Sequence, residues 1–114
     1  MKRNTTPTIP IKIHTAFDNV KRVEFIFADK ESQYARIFLH KIFENEIPVA
    51  EDGTTESFTV LLSLSASETM KLPAGTVYMD TRIILNNGNI PKTKIVKIDI
   101  DNTFFKEVYE DDTN

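Results

Sequence analysis

The sequence contains no cysteine and no tryptophan, and its only histidines are His14 and His40. The lack of cysteine excludes disulfides, thiolate metal sites and cysteine nucleophiles, and two histidines offer few ligands for zinc. No nucleophile elbow, P-loop, dinucleotide fingerprint or H-E-x-x-H motif is present to activate a serine, threonine or lysine. We therefore expect no enzymatic activity, no cofactor and no metal site.

Long hydrophobic runs are also missing. The longest apolar stretches span only a few residues, as at 60–62 and 83–85, whereas a membrane helix needs about 20. Two positive charges near the start of the sequence are not followed by an apolar stretch of signal-peptide length. We expect no membrane partner and no signal peptide, and a location in a cytoplasm or in an assembled particle.

The charge balance is slightly acidic. There are 14 lysines and arginines against 17 acidic residues, a net charge of −3. A general binder of the phosphate backbone is normally basic, so nucleic acid is not an expected partner. The 114 residues, 40% of them hydrophobic, fit one globular domain. We predict that this domain covers 1–109 and that 110–114 forms a disordered acidic tail.

Residue types that favour strands dominate the sequence. Valine, isoleucine, threonine, phenylalanine and tyrosine supply 44 residues, against 12 leucines and alanines. Apolar residues recur with a period of two in several segments, which makes Val23, Phe25 and Phe27 core candidates. In a third strand Ile37 and Leu39 alternate with Arg36, Phe38 and His40, and we expect that strand to be partly covered on both faces. The pattern predicts about seven short strands, which would form two antiparallel sheets or a small barrel, with the sandwich favoured.

Two local signals predict specific connections. Ser65 and Glu68 have the spacing of a capping box, so we predict a short helical turn near 65–72. The Asn-Asn-Gly-Asn sequence at 86–89 accepts positive φ angles, so we predict a hairpin from Thr76 to Ile100. A short irregular strand is predicted over 43–49.

Three stretches resemble, in order and spacing, a family of small phage and prophage proteins. They are Asn4-Thr5-Thr6-Pro7-Thr8, then V-L-L-S-L-S-A-S-E-T at 60–69, then V-Y-M-D-T-R-I at 77–83 after Pro73-Ala74-Gly75. Family members read roughly G-T-T-P, a strand ending in L-T/S-Q-E-E-T, and an A-G turn followed by V-x-x-Q-V-R. Asn4 replaces the glycine and Ala66-Ser67 replaces the Gln-Glu pair. The resemblance extends from about Asn4 to Phe105.

The resemblance implies an all-β fold, an immunoglobulin-like antiparallel β-sandwich of seven to eight strands, similar to the N-terminal domains of phage baseplate upper proteins. It implies a non-catalytic structural or assembly protein, associated with the tail or baseplate. Its partners would be other phage structural proteins or a second copy of itself. Its location would be the virion, or the host cytoplasm during assembly. The alternative is a small carbohydrate- or ligand-binding module on the same fold.

Eight phenylalanines are many for a domain of this size, since a sandwich core is only about 10 Å thick. Phe38, Phe43, Phe104 and Phe105 are therefore the candidate partner contacts. If the segment containing Phe104 and Phe105 is extended, their rings point to opposite sides and one of them is available to a neighbour. The segment 102–109 reads equally as a strand or as one helical turn.

Two sets of polar residues have a functional and a structural interpretation. Asp99 and Asp101 would share one strand face, either as oxygen ligands for a cation or, as we favour, as part of a polar outer surface. His14 and His40 would pair with a carboxylate in acid–base chemistry or simply be exposed strand residues. We favour the second interpretation, because each follows an apolar residue of the opposite phase.

Overall fold

The computed structural model describes residues 1–32 and 34–101. A 3-10 turn at Phe17–Asn19 follows the first strand. The regular elements of the described residues are, in chain order, β1 Thr8–Ile13, β2 Val20–Ala28, β3 Ile37–Phe43, β4 Phe58–Ser63, α1 Ala66–Met70, β5 Gly75–Leu85 and β6 Val96–Ile100.

The six strands form two antiparallel sheets. One sheet contains β1 and β4, and the other has the order β3-β2-β5-β6. The chain crosses between the sheets after β1, β3 and β4, and no ladder joins the two sheets within the described ranges. The fold is therefore an antiparallel sandwich of two sheets, the arrangement that the alternation favours, and not a closed barrel.

The described residues contain six strands, against the seven to eight expected for the whole chain. The strand expected over 43–49 is reduced to an isolated bridge between Val49 and Val60. Pro48 has no N–H group to donate, although its carbonyl accepts from Leu61 N at 2.9 Å, so pairing cannot continue through it. The predicted segment 102–109 and the tail 110–114 lie outside the described residues.

One hydrophobic core lies between the sheets, as the alternation predicts. Val23, Phe25 and Phe27 of β2 are fully buried, which confirms the strongest strand pattern of the sequence. They face side chains of the smaller sheet, including Val60 and Leu62. Both sheets thus bury one apolar face against the other, which is the main stabilising contribution of a sandwich.

A bulge interrupts the ladder between β2 and β3. Phe27 pairs with Leu39, but the next residue, Ala28, pairs with Ile37, so Phe38 is an extra residue in β3. The alternation that puts Ile37 in phase with Leu39 is therefore broken at the bulge. One inserted residue reverses the face of the sheet on which the side chains beyond it lie. Ile37 is therefore 56% exposed, whereas Leu39 is buried.

The hairpin predicted between Thr76 and Ile100 is present, but its ladder is short. β6 pairs with only the first half of β5, from Gly75 opposite Ile100 to Met79 opposite Val96. Gly88 has a φ of 87° in the turn, which explains the glycine there. Residues 86–95 form a long loop beside the second half of β5.

The capping box at the start of α1 is confirmed. Ser65 Oγ accepts from Glu68 N at 3.1 Å, and Glu68 Oε1 accepts from Ser65 N at 2.8 Å. The same carboxylate oxygen lies 3.1 Å from Lys41 Nζ of β3. Glu68 thus caps the helix and connects it to the larger sheet.

Glu68 also predicts a pH dependence of stability. Burial alone raises the pKa of its carboxyl, but hydrogen bonds from Ser65 and the charge of Lys41 outweigh burial, so the pKa lies below its ordinary value of 4.5. A lowered folded-state pKa contributes stability above pH 4.5, and this contribution is lost as the pH falls through the folded-state pKa.

The variant Glu68→Gln should therefore be less stable than the wild type at pH 7, and the difference should shrink as the pH falls from 5 to 3. Urea unfolding at several pH values measures it. Glu56→Gln is the control, because Glu56 is an exposed loop residue that forms no ion pair in the described part of the chain. A pH-independent difference for Glu68→Gln would contradict the argument.

The N-terminal segment is attached to α1 by a buried hydroxyl. Thr69 Oγ1 accepts from Thr5 N at 3.2 Å and lies 3.0 Å from Thr5 O and 2.9 Å from Ala66 O, to either of which it can donate its hydrogen. Thr69 is fully buried. Two of the stretches that carry the resemblance therefore contact each other, and the hydrogen bonds between Thr5 and Thr69 attach the N-terminal segment to α1.

Thr69→Val should lower the free energy of unfolding by about 1–3 kcal/mol, because it keeps the shape but leaves Thr5 N without its acceptor. The rate of amide hydrogen exchange should increase most at Thr5, whose N–H loses its acceptor. Thr59→Val is the control, because the Thr59 hydroxyl makes only an exposed 3.3 Å contact with Asp52. An equal decrease in the free energy of unfolding of both variants would show that the buried Thr69 hydroxyl contributes no more to stability than an exposed one.

Candidate interaction surface

The strand edges of the sandwich differ in how they are protected from pairing with another chain. Lys2 bridges to Asp101 just beyond β6, and Val49 bridges to Val60 on β4. β1 carries Pro10 at its centre, which removes one donor from that edge. Of the edges that the structure describes, the free side of β3 is the one with neither a covering segment nor a proline.

β3 also lacks the charged side chains that usually protect an edge. Its exposed positions include Ile37 and Ile42, which are 56% and 52% exposed. Its one lysine, Lys41, points between the sheets, where Nζ donates to Ser63 O at 2.9 Å and contacts Glu68. An edge strand with exposed isoleucines and a lysine turned away is open to strand addition. We call this side of the molecule, Ile37–Phe43, the β3 edge.

A buried carboxylate joins β2 to β3 on the outer face of the larger sheet. His40 Nε2 lies 2.7 Å from Glu24 Oε1, and Arg22 Nε lies 3.1 Å from Glu24 Oε2 in an ion pair that is not aligned as a hydrogen bond. Glu24 is buried, whereas His40 is exposed, as predicted for a strand residue of the polar phase. The contacts from His40 and Arg22 offset the free-energy cost of burying the Glu24 carboxylate.

Two of the four predicted partner contacts lie on β3, at either end of the strand. Phe43 is half-buried and its ring meets Phe25 edge-on, with centroids 6.0 Å apart. Phe38 is also half-buried against the core, and the Arg36 guanidinium lies 5.8 Å from its ring centroid. Their contact with a partner stays a prediction. Phe104 and Phe105 lie outside the described residues.

Sequence reasoning missed the two isoleucines of the β3 edge. Ile37 has the alternation phase of the buried Leu39, because the bulge depends on how β2 and β3 are aligned and is invisible in the pattern of a single strand. Ile42 carries a usable signal, since it has the phase of His40 and not of Leu39. An isoleucine in the polar phase of a strand is the pattern to look for.

A concave region of about 430 Å³ lies on the outer face of the larger sheet. Tyr78 and Asp80 of β5 form one wall, and Ile37 of the β3 edge reaches the opposite wall. The concave region combines an aromatic ring, that of Tyr78, a carboxylate, that of Asp80, and apolar side chains such as Ile26. A site of this size fits a small ligand.

A second cleft, of about 390 Å³, opens between β1 and the loop that follows β5. Ile13, Met79 and Ile83 form its apolar interior, and its rim includes His14 and Lys92. His14 is thus an exposed rim residue. The described residues that line the cleft include no phenylalanine, tyrosine or tryptophan, so it does not match a sugar-stacking site.

The two aspartates considered as cation ligands lie at the end of β6, beside the N-terminal segment. Thr76 Oγ1 donates to Asp99 Oδ1 at 3.3 Å, and the backbone carbonyl of Asp99 accepts from the N-terminal amine of Met1 at 2.7 Å. Asp101 bridges to Lys2 through the backbone. Across 1–32 and 34–101, no three histidine, aspartate or glutamate side chains gather in a group that could hold a metal ion.

Comparisons with known proteins show no family for this chain. No family model and no curated protein matches the chain, and no helix in the described part has the length and apolar character to cross a membrane. A similar solved structure is the extracellular domain of the voltage-gated sodium channel beta4 subunit, which forms parallel homodimers linked to cell–cell adhesion. It is 16% identical over 89% of this chain and 85% of that chain, with a TM-score of 0.34, a similarity too low to bear on fold or function.

Proposed function

We propose that this chain is a non-catalytic structural or assembly protein of a phage or prophage, associated with the tail or baseplate, and that it acts through protein–protein contacts. The β3 edge is the observation that carries the proposal, since Ile37 and Ile42 are exposed on a strand that has a free side. The family resemblance of the sequence supports the phage context. A particle that repeats the chain many times would convert weak edge contacts into stable attachment.

Mass spectrometry of purified particles tests this proposal. After induction of the prophage, peptides such as the one over 83–92 should be present at an amount comparable with known structural proteins. Absence of these peptides from particles, with the protein abundant in the lysate, would overturn the virion role. Turnover of any substrate that persists through repurification would overturn the non-catalytic part.

A carbohydrate-binding module is the second candidate, and the concave outer face favours it. Tyr78 offers a ring on which a sugar can stack, and Asp80 offers oxygens that accept sugar hydroxyls. The discriminating measurement is calorimetric titration of the full chain with soluble cell-wall glycan. Saturable binding that is lost in Tyr78→Ala but kept in Tyr34→Ala would support this candidate, since Tyr34 is an exposed loop residue outside the concavity.

A further inference from the structure

We propose that the cleft between β1 and the loop that follows β5 binds an anionic amphiphile, a carboxylate that carries one alkyl chain of medium length. The alkyl chain lies in the apolar interior of the cleft, and the carboxylate lies at its rim beside the lysines. The inference goes beyond the proposed function and does not depend on it. Its basis is an apolar part of the larger sheet that the smaller sheet leaves uncovered, bordered by positive charges.

The cleft exists because two strands cannot cover four. β1 and β4 pack against a sheet of four strands, so part of the core-facing side of that sheet extends beyond them. Val96 of β6 pairs opposite Met79 of β5, and the two side chains therefore lie on the same face of the sheet. Met79 is 3% exposed, whereas Val96 is 45% exposed. Val96 is thus an apolar residue on the core-facing side that the described residues do not bury.

The interior of the cleft is apolar and elongated. Met79 and Ile83 of β5 form it together with Ile11 and Ile13 of β1. Met79 and Ile83 are four residues apart on one strand face, which gives this apolar surface a length of about 13 Å. The volume of about 390 Å³ lies within the range of small-molecule sites. An alkyl chain in the cleft therefore removes its own surface and that of Val96 from water.

Positive charges border the cleft. Lys12 of β1 and Lys92 and Lys94 of the loop after β5 are exposed residues of its lining. None of the ion pairs within 1–32 and 34–101 involves these three lysines. The described lining also contains no aspartate or glutamate. The rim is therefore complementary to an anionic head group, although the chain as a whole has a net charge of −3.

An extended peptide fits the cleft less well than an alkyl chain, because the strand edges beside it offer few backbone donors. Pro10 of β1 pairs opposite Leu61, whose N–H is donated to Pro48 on the other side of β4. The backbone of Pro10 therefore faces the free edge of β1, where it has no N–H to offer. At the edge of β5, the Thr93 hydroxyl donates to the backbone carbonyl of Thr81. A ligand that needs no backbone ladder is favoured.

The three methionines allow binding to be measured at the site itself. Met79 lines the cleft, whereas Met1 and Met70 are not part of its lining. The chain is isotopically labelled at the methionine methyl groups and titrated with decanoate below its micelle concentration. The Met79 methyl NMR signal should shift saturably, and the other two signals should not move. Decyltrimethylammonium has the same chain length but a positive head group, and it should bind about tenfold more weakly.

Charge reversal at the rim tests the role of the lysines. Lys92→Glu/Lys94→Glu should weaken decanoate binding about tenfold, because two attractive charges become repulsive. The matched control is Lys71→Glu/Lys97→Glu, which changes the net charge equally at exposed lysines outside the cleft. Val96→Asp tests the interior, because it places a carboxylate on the uncovered apolar surface. It should abolish binding.

A saturable shift confined to Met79, weakened by reversal at the rim and not by the control reversal, supports the proposal. The absence of a saturable shift at Met79 would overturn it. Equal binding of the two amphiphiles, or equal weakening in the two double variants, would refute the preference for an anion. Shifts of all three methionine signals would show general detergent binding and remove the site. A Met79 signal that responds to protein concentration and not to decanoate would show that a second copy of the chain occupies the cleft, contrary to the proposal.

Discussion

Replacing Phe25 with alanine should lower the free energy of unfolding by about 3–5 kcal/mol, a large part of the 5–15 kcal/mol typical of a domain. Phe25 lies at the middle of β2 and is completely buried. Its ring contacts Phe43 edge-on and its strand neighbours are Lys41 and Thr81. The strands on both sides of β2 are held by ladders, so the cavity left by the ring cannot easily collapse.

Phe17→Ala is the matched control. Phe17 also meets another ring, with its centroid 5.2 Å from that of Phe58, but it is 41% exposed at the 3-10 turn. Its loss should cost only about 1 kcal/mol, since part of the ring is already in water. Urea unfolding followed by far-ultraviolet circular dichroism measures both variants, and a smaller loss for Phe25→Ala than for Phe17→Ala would refute this description of the core.

Removing both partners of Glu24 should lower the free energy of unfolding as much as Phe25→Ala does. The double variant Arg22→Ala/His40→Ala leaves a buried carboxylate with neither of its compensating groups, and we expect a loss of about 3–5 kcal/mol at pH 7. Glu24→Leu should cost much less. It removes the buried charge itself and leaves Arg22 and His40 on the surface, where water solvates them.

The combination of all three substitutions isolates the charge as the cause. Arg22→Ala/His40→Ala/Glu24→Leu should be more stable than the double variant, because no uncompensated carboxylate remains. Thermal unfolding at one fixed protein concentration compares the set. If the triple variant is less stable than the double, packing and not charge dominates at this position.

The outcome for β3 shows where prediction from sequence ends. Alternation correctly places Leu39 inside and His40 outside, because a side-chain period of two is a local property of an extended chain. The phase that Ile37 shares with Leu39 is lost at the bulge, which exists only in the alignment of β3 with β2. The pairing of His40 with Glu24 likewise joins residues 16 positions apart, and neither strand's own pattern indicates it.

The sequence by itself determined the all-β class, the buried side chains of β2, the capping box of α1 and the turn after β5. These depend on alternation, helix-end hydrogen bonding and positive φ angles, all of which act between near neighbours. The tertiary structure alone decided which strand edge stays open, because covering an edge takes a segment from elsewhere in the chain. Residues 48–50 reach β4 and Lys2 reaches the end of β6, whereas the described residues bring no such segment to β3.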